Sequence, residues 1–166
     1  ARVEAHLNDE EPPNDQETDA EWKMVEVELK KLQELGWVPF RSELSMYYTK
    51  DGKVTCCGQC DAIFKDADGC TVIVDWKRTN KDLSQECTPF RDKRCAAECL
   101  EMRYANDHTK YSLQTSVYAV MYHQLTGVKV GRENRWLLQA HPSLSCARWT
   151  QASCLDEAAR ALLENA

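Results

Sequence analysis

Trp22, Val25, Leu29 and Leu32 recur at helical spacing, and their shared apolar stripe predicts a helix over about 20–35. Asp19 stands in the N-cap position and Gly36 is the C-terminal stop. The period then drops from 3.6 to two. Strands are expected near 38–49, 54–65 and 71–76, the last built on the β-branched run Val72-Ile73-Val74. Asp51-Gly52 and Asp66-Ala67-Asp68-Gly69 are turn signals that fold these three strands antiparallel to one another. Residues 78–108 carry no clean period. Arg78, Lys81, Arg91, Lys93, Arg94 and Arg103 mix there with Pro89 and Phe90, and a helical stretch is expected near 92–104. The clearest helix covers 109–125, with Leu113, Val117, Val120 and Met121 on one face. Tyr111, Gln114, Tyr118 and Tyr122 fall on the neighbouring face, and Gln114 and Tyr118 are i,i+4 partners. A strand over 135–141, a short one around 146–150 and a helix over 156–163 complete the pattern. Helix, three strands, helix, strand describes one mixed α/β (α+β) domain over residues 20–166.

Residues 1–19 lie outside that pattern. They combine acids with Asn, Gln and Pro12-Pro13, offer few apolar groups, and read as a disordered or linker segment. Charge follows the same division. Of 27 acids, eight lie in residues 1–21 beside one base, Arg2, leaving 19 acids and 20 bases in the body. The net charge of −6 therefore comes mostly from the N-terminal stretch. A near-neutral body lacks the basic footprint of a strong nucleic-acid binder, although a cleft can concentrate positive charge locally. No apolar run approaches the roughly eighteen residues of a membrane span, and no signal segment opens the sequence, so an intracellular location and no membrane partner are expected. The 166 residues suit a single core, and read as one domain of a longer protein.

Nine cysteines in such a chain do not form a disulfide framework, and the single Cys-x-x-Cys, Cys57-Gly58-Gln59-Cys60, has no second pair to complete a zinc ribbon. Most are expected to be reduced thiols used as small apolar residues. Cys56, Cys57 and Cys60 crowd one strand, which leaves a cysteine-rich metal-binding interaction module as a competing class.

The chemistry concentrates in Gly58-Gln59-Cys60-Asp61 and Val72-Ile73-Val74-Asp75-Trp76-Lys77. Period-two alternation puts Asp75 and Lys77 on one face of their strand, and the intervening turn brings Asp61 opposite Asp75. An Asp-x-Lys triplet alone is common, and charges at a strand end are usually solvated. Here an apolar strand ends in the triplet beside a second carboxylate. Two carboxylates with an ammonium between them suit a hard divalent cation working on phosphate.

With Gln114-Thr115-Ser116-Val117-Tyr118, these residues resemble the PD-(D/E)XK nuclease superfamily, in particular its branch of RecB-type nuclease domains and lambda exonuclease. Arg41-Ser42-Glu43-Leu44-Ser45 looks like the glutamate-bearing strand that precedes the hairpin in that family. The resemblance covers roughly residues 20–150 and implies the restriction-endonuclease-like core, αβββαβ, a mixed sheet flanked by helices. It departs in two respects: the first Asp follows Cys60 and not proline, and the metal-binding histidine that some relatives carry upstream is missing, with no histidine between His6 and His108. It implies Mg²⁺ or Mn²⁺ held by Asp61, Asp75 and the backbone carbonyl of Trp76, with Lys77 orienting the attacking water or stabilising developing charge. Glu43 would complete the metal shell or hold a second ion; as a bland alternative it is a strand-end charge. Gln114 and Tyr118 would steady the lysine or contact substrate phosphate, or else form a packing pair. Trp76 and Trp136 are expected to pack in the core or at its rim. The function implied is a metal-dependent deoxyribonuclease acting on single strands or duplex ends, fused to or associated with a helicase or another replication or recombination module. A catalytically silent domain that binds nucleic acid or acts as a scaffold is the alternative.

Overall fold

The computed structural model describes residues 2–83 and 93–165. Its elements are α1 (Arg2–Leu7), α2 (Asp19–Glu34), β1 (Val38–Lys50), β2 (Lys53–Lys65), β3 (Thr71–Arg78), α3 (Asp107–Thr126), β4 (Arg135–Ala140), β5 (Arg148–Gln151) and α4 (Asp156–Glu164), with 3₁₀ turns at Gln16–Thr18 and Glu98–Leu100. The strands form one five-stranded sheet in the order β1-β2-β3-β4-β5. β3 and β4 are parallel and the other pairs antiparallel. Parallel neighbours need a crossover, and α3 supplies it. This is the mixed sheet flanked by helices that the resemblance implies. Among the described residues, no helix is long and apolar enough to cross a membrane.

Alternation along β3 divides the core in two. Val72 and Val74 pack with Ala62, Phe64, Leu138 and the apolar stripe of α2, Val25, Leu29 and Leu32. Ile73 points the other way and packs with Ile63, Val120 and Met121, and with Ala159 and Leu163 of α4. Asp75 and Lys77 continue the Ile73 series, so they fall on the α3 face of the sheet. Trp76, Trp136 and Trp149 fall on the α2 face as partly buried packing residues.

Three expectations change. The N-terminal segment carries α1, whose Ala5 is buried and whose Val3 and Leu7 pack against the α2 cluster. Arg2 ties that segment down, pairing with Asp19 at 3.3 Å and donating from Nε to the Pro13 carbonyl at 2.8 Å. The acids dominate its composition, whereas Val3 and Leu7 at i,i+4 decide its packing. Asp19 consequently belongs to the first turn of α2, and Thr18 occupies the cap position without a side-chain hydrogen bond. The described part of the stretch expected to be helical near 92–104 forms a 3₁₀ turn and an Arg94–Tyr104 bridge, with the Arg94 guanidinium 4.2 Å over the Tyr104 ring. Pro89, Phe90 and Arg91 lie outside the described residues.

The third change concerns α3, which is buried on nearly every side. Leu113 and Val117 are only partly covered, while Ser112, Thr115 and Ser116 are fully buried. The two serine hydroxyls receive the loop that follows β5: Ser153 N–H donates to Ser112 Oγ at 3.0 Å and Leu155 N–H to Ser116 Oγ at 2.9 Å, while Thr115 Oγ1 donates to the Ser112 carbonyl at 3.0 Å. Beside them Arg135, 2 % exposed at the start of β4, forks onto the Asp156 carboxylate and donates to the Val130 carbonyl at 2.9 Å and to Ser116 Oγ at 3.2 Å. Asn106 caps α3 by accepting Thr109 N–H at 2.9 Å, and Gly127, with φ 75°, ends it in a left-handed turn.

Candidate active site

The β2–β3 backbone ladder closes at Ala62↔Val74. One step further, a side chain takes the place of the backbone partner. Asp61 Oδ2 accepts the Trp76 N–H at 2.8 Å, which pins that carboxylate next to Asp75. Across β3, Lys77 Nζ lies 2.5 Å from Asp75 Oδ2. From the helix side, Gln114 Oε1 accepts from Lys77 Nζ at 3.0 Å, and Gln114 Nε2 donates to the Tyr118 hydroxyl at 2.9 Å. The Tyr111 ring covers the ammonium, its centroid 4.3 Å from Nζ. Strands β2 and β3 supply the acids and the lysine, and α3 aims the lysine.

Electrostatically the cluster has an excess of negative charge. Asp75 is 1 % exposed. Burial and then the Asp61 charge push its pKa up to about 6, against the pull of Lys77. Apart from the Lys77 ion pair, Asp75 Oδ2 finds no hydrogen-bond partner among the described residues. The Tyr118 phenol is pushed up to about 12, first by burial and then by the Asp75 and Asp61 charges, with the Gln114 hydrogen bond opposing. It keeps its proton at any ordinary pH.

Glu43 lies opposite Asp61, between the pairs Ser42↔Ala62 and Leu44↔Cys60. Its φ is +47°, a conformation that bulky residues seldom adopt. Burial and the Asp61 charge raise its carboxyl. The structure thus brings Asp61, Asp75, Lys77, Gln114 and Tyr118 together, with Glu43 on the outer side of Asp61. Trp76 contributes its N–H. A residue's N–H and C=O leave a strand by the same edge, so the Trp76 carbonyl also faces β2. Cys60, in the place of proline, is fully buried; burial and the Asp61 charge raise its thiol, which is inert packing. Among the described residues, no three His, Cys, Asp or Glu side chains converge as a ready-made metal cage. That includes Cys56, Cys57 and Cys60.

Two residues visible in the motifs take roles that the sequence did not assign. Tyr111, on the Gln114 face of α3 by helical spacing, covers the lysine. Gly58 is the second. A Cβ there would lie 3.0 Å from Cε1 of Tyr118, and only the tertiary packing of α3 on β2 reveals it.

A sequence model of the PD-(D/E)XK nuclease superfamily matches residues 2–165. The chain belongs to that superfamily. The match includes α1, so the N-terminal segment lies within the region assigned to the family. No curated protein matches the chain. Among solved structures, one described as "Putative exonuclease" from Eubacterium rectale is 13% identical with a TM-score of 0.52, covering 98% of this chain and 61% of that one. The crystal structure of SSO0001 is 16% identical with a TM-score of 0.43, covering 86% of this chain and 56% of that one. The chain thus spans about three fifths of the solved structures it matches. At 13% identity, the Eubacterium rectale likeness bears on the fold alone. The superfamily to which the chain belongs is one of nucleases.

Proposed function

We propose that this chain is a divalent-metal-dependent deoxyribonuclease of the RecB-like branch, hydrolysing phosphodiester bonds at DNA ends or in single strands. The observation that carries this reading is Asp75 Oδ2: buried, held only by Lys77, and set beside a second carboxylate. Such a group costs stability unless a cation neutralises it. The donors fit Mg²⁺ or Mn²⁺, which accept one or two carboxylates, a carbonyl and water, and need no full protein cage. Asp61 and Asp75 would hold the ion with the Trp76 carbonyl, and Glu43 would act through a water beside Asp61.

The bound ion would supply a nucleophilic water at neutral pH and neutralise charge on a phosphoryl oxygen. The remaining work belongs to the protein. Asp75 and Gln114 engage Lys77 from two sides, leaving a third N–H to meet the water or the charge that develops on the phosphate. Tyr111 limits the directions open to the ammonium. Tyr118, protonated and accepting from Gln114, keeps the amide oxygen turned towards the lysine. The preference for ends or single strands draws on the Gln114 and Tyr118 motif shared with the RecB-like branch, as does association with a helicase-type module.

The test is cleavage of labelled single-stranded, blunt duplex and circular DNA, with RNA alongside, in Mg²⁺ or Mn²⁺ and in chelator. Linear DNA should be degraded and circles spared. Loss of all cleavage under every condition, or full cleavage by Asp75→Ala, would overturn the reading. Stoichiometric zinc or iron in the purified protein would instead favour a cysteine-based interaction module.

A further inference from the structure

Resting on that reading, we propose that Gly58 is a positioning residue: its bare Cα is the seat of the Tyr118 ring, and through that ring it sets the direction of Gln114 and Lys77. Gly58 lies inside β2, where glycine is a poor choice because it is costly to order and has no side chain to pack. Its φ is not in the left-handed region, so backbone conformation does not demand glycine. Space does. A Cβ at Gly58 would stand 3.0 Å from Cε1 of Tyr118 and 3.8 Å from Cδ1, so the ring would have to shift by some tenths of an ångström.

That shift is not absorbed locally. Tyr118 packs in the α3-side core with Met46, Cys60 and Ile63, and its hydroxyl is the acceptor for Gln114 Nε2. The amide has two ends with opposite demands. If the tyrosine hydroxyl accepts from Nε2, Oε1 must face Lys77, where it is found at 3.0 Å. If that acceptor moves, the amide can turn and present N–H to an ammonium that needs an oxygen. Lys77 then keeps Asp75 alone, and its free N–H no longer points at a fixed place. Small errors of this kind matter, because about 1 Å of misplacement can cost roughly a hundredfold in rate.

The experiment is a double-mutant cycle on the whole chain with Gly58→Ala, Tyr118→Phe and both together, read by cleavage and by the ¹H–¹⁵N signals of the Gln114 side-chain amide. Gly58→Ala should melt within a few degrees of the wild-type temperature, since the better fit of alanine to a strand offsets part of the cost of displacing the ring. Its kcat should fall about tenfold with KM little changed, and its Gln114 amide protons should exchange faster and move towards the values of a solvated glutamine. Tyr118→Phe should do the same, and the double variant should lose no more than the worse single one, because both act through one hydroxyl. Additive losses, or unchanged Gln114 signals in Gly58→Ala, would overturn the inference. If Gly58→Ala fails to fold, Gly58→Ala with Tyr118→Leu frees the space, and a normal melt for that variant would support the seat. If wild type cleaves nothing but the amide signals still obey the cycle, the positioning inference stands and the nuclease reading falls. If wild type cleaves and the signals ignore Gly58, the reverse holds.

Discussion

Two charged clusters lie on the α3 side of the sheet, and they are built to opposite ends. Around Arg135, the guanidinium meets the Asp156 carboxylate, a serine hydroxyl and a backbone carbonyl; among the atoms of that pair only Arg135 Nε lacks a partner. Burial alone would raise the Asp156 carboxyl, but the Arg135 hydrogen bonds and charge, helped by Arg160, hold it below the usual carboxylate range. Around Asp75 the acids outnumber the lysine, and the buried carboxylate is pushed up to about 6. The first cluster is neutral by itself and joins β4 to α4 and the loop before it. The second carries net negative charge until a cation or a proton is added. Strongly perturbed, incompletely compensated groups of this second kind cluster at functional sites.

The contrast can be broken at four points. The largest effect is expected at the satisfied cluster. Asp156→Ala would strand a guanidinium that is 2 % exposed, and should cost about 3 kcal/mol, the lower end for a broken buried pair because Asp156 is partly open to solvent. Urea denaturation measures it; a loss under about 1 kcal/mol would deny the pair its structural role.

Next come Asp75→Ala, Asp61→Ala and Lys77→Ala, which should lower cleavage at least about a hundredfold, the usual scale for removing a key transition-state stabiliser. Their melting temperatures should stay near that of wild type, read by circular dichroism. Unfolding of all three would make this cluster structural as well.

The third test uses pH on the metal-free protein. Asp75 has its folded pKa above the ordinary 3.8, so the stability it contributes is present below that value and lost as pH rises through about 6. Asp156 is the mirror case: its contribution holds above the ordinary 3.8 and is lost as pH falls through the lowered value. Asp75→Asn should therefore gain on wild type in melting temperature between about pH 4 and about pH 7, while the deficit of Asp156→Asn should shrink below about pH 4. Parallel curves for the two variants would erase the distinction between the two clusters.

The smallest effect concerns α1. Removing residues 1–18 uncovers the partly buried Trp22, against which His6 packs edge-on at 5.5 Å, and should cost about 1–2 kcal/mol once ordering entropy is subtracted. A deletion with no effect on melting would restore the reading of this stretch as a linker.

The strands and the two long helices were legible in the sequence because apolar period and turn chemistry agree along most of the chain. Val72, Ile73 and Val74 announce a strand covered on both faces, and from them alternation places Asp75 and Lys77 on the right side. Asp61 was legible as a neighbour of Asp75 but not as the acceptor of a backbone N–H, since a frayed ladder leaves no mark in residue type. The burial of Ser112, Thr115 and Ser116 was hidden because hydroxyls look like surface in a periodicity count, and their partners, the Ser153 and Leu155 N–H groups, Arg135 and the Ser112 carbonyl, appear only in the folded chain. α1 was missed for the converse reason. Its acids set the composition, yet a few apolar contacts with α2 settle where it lies.

The chain leaves β3 beside the lysine and returns at the start of α3, and the two ends of that excursion are fastened together. Lys81 pairs with Asp107 at 2.8 Å, a His108 ring nitrogen meets the Leu83 carbonyl at 2.8 Å, and Gln139 Nε2 donates to the carbonyls of Thr79 and Lys81 at 2.6 and 2.8 Å. With its base clasped in this way, the excursion can lengthen or shorten with little mechanical consequence for the lysine. The added closure entropy grows only with the logarithm of its length, about 0.6 kcal/mol per doubling. Evolution, or an engineer, has a graft point there, where sequence can be exchanged while the Asp75 and Lys77 cluster stays as it is.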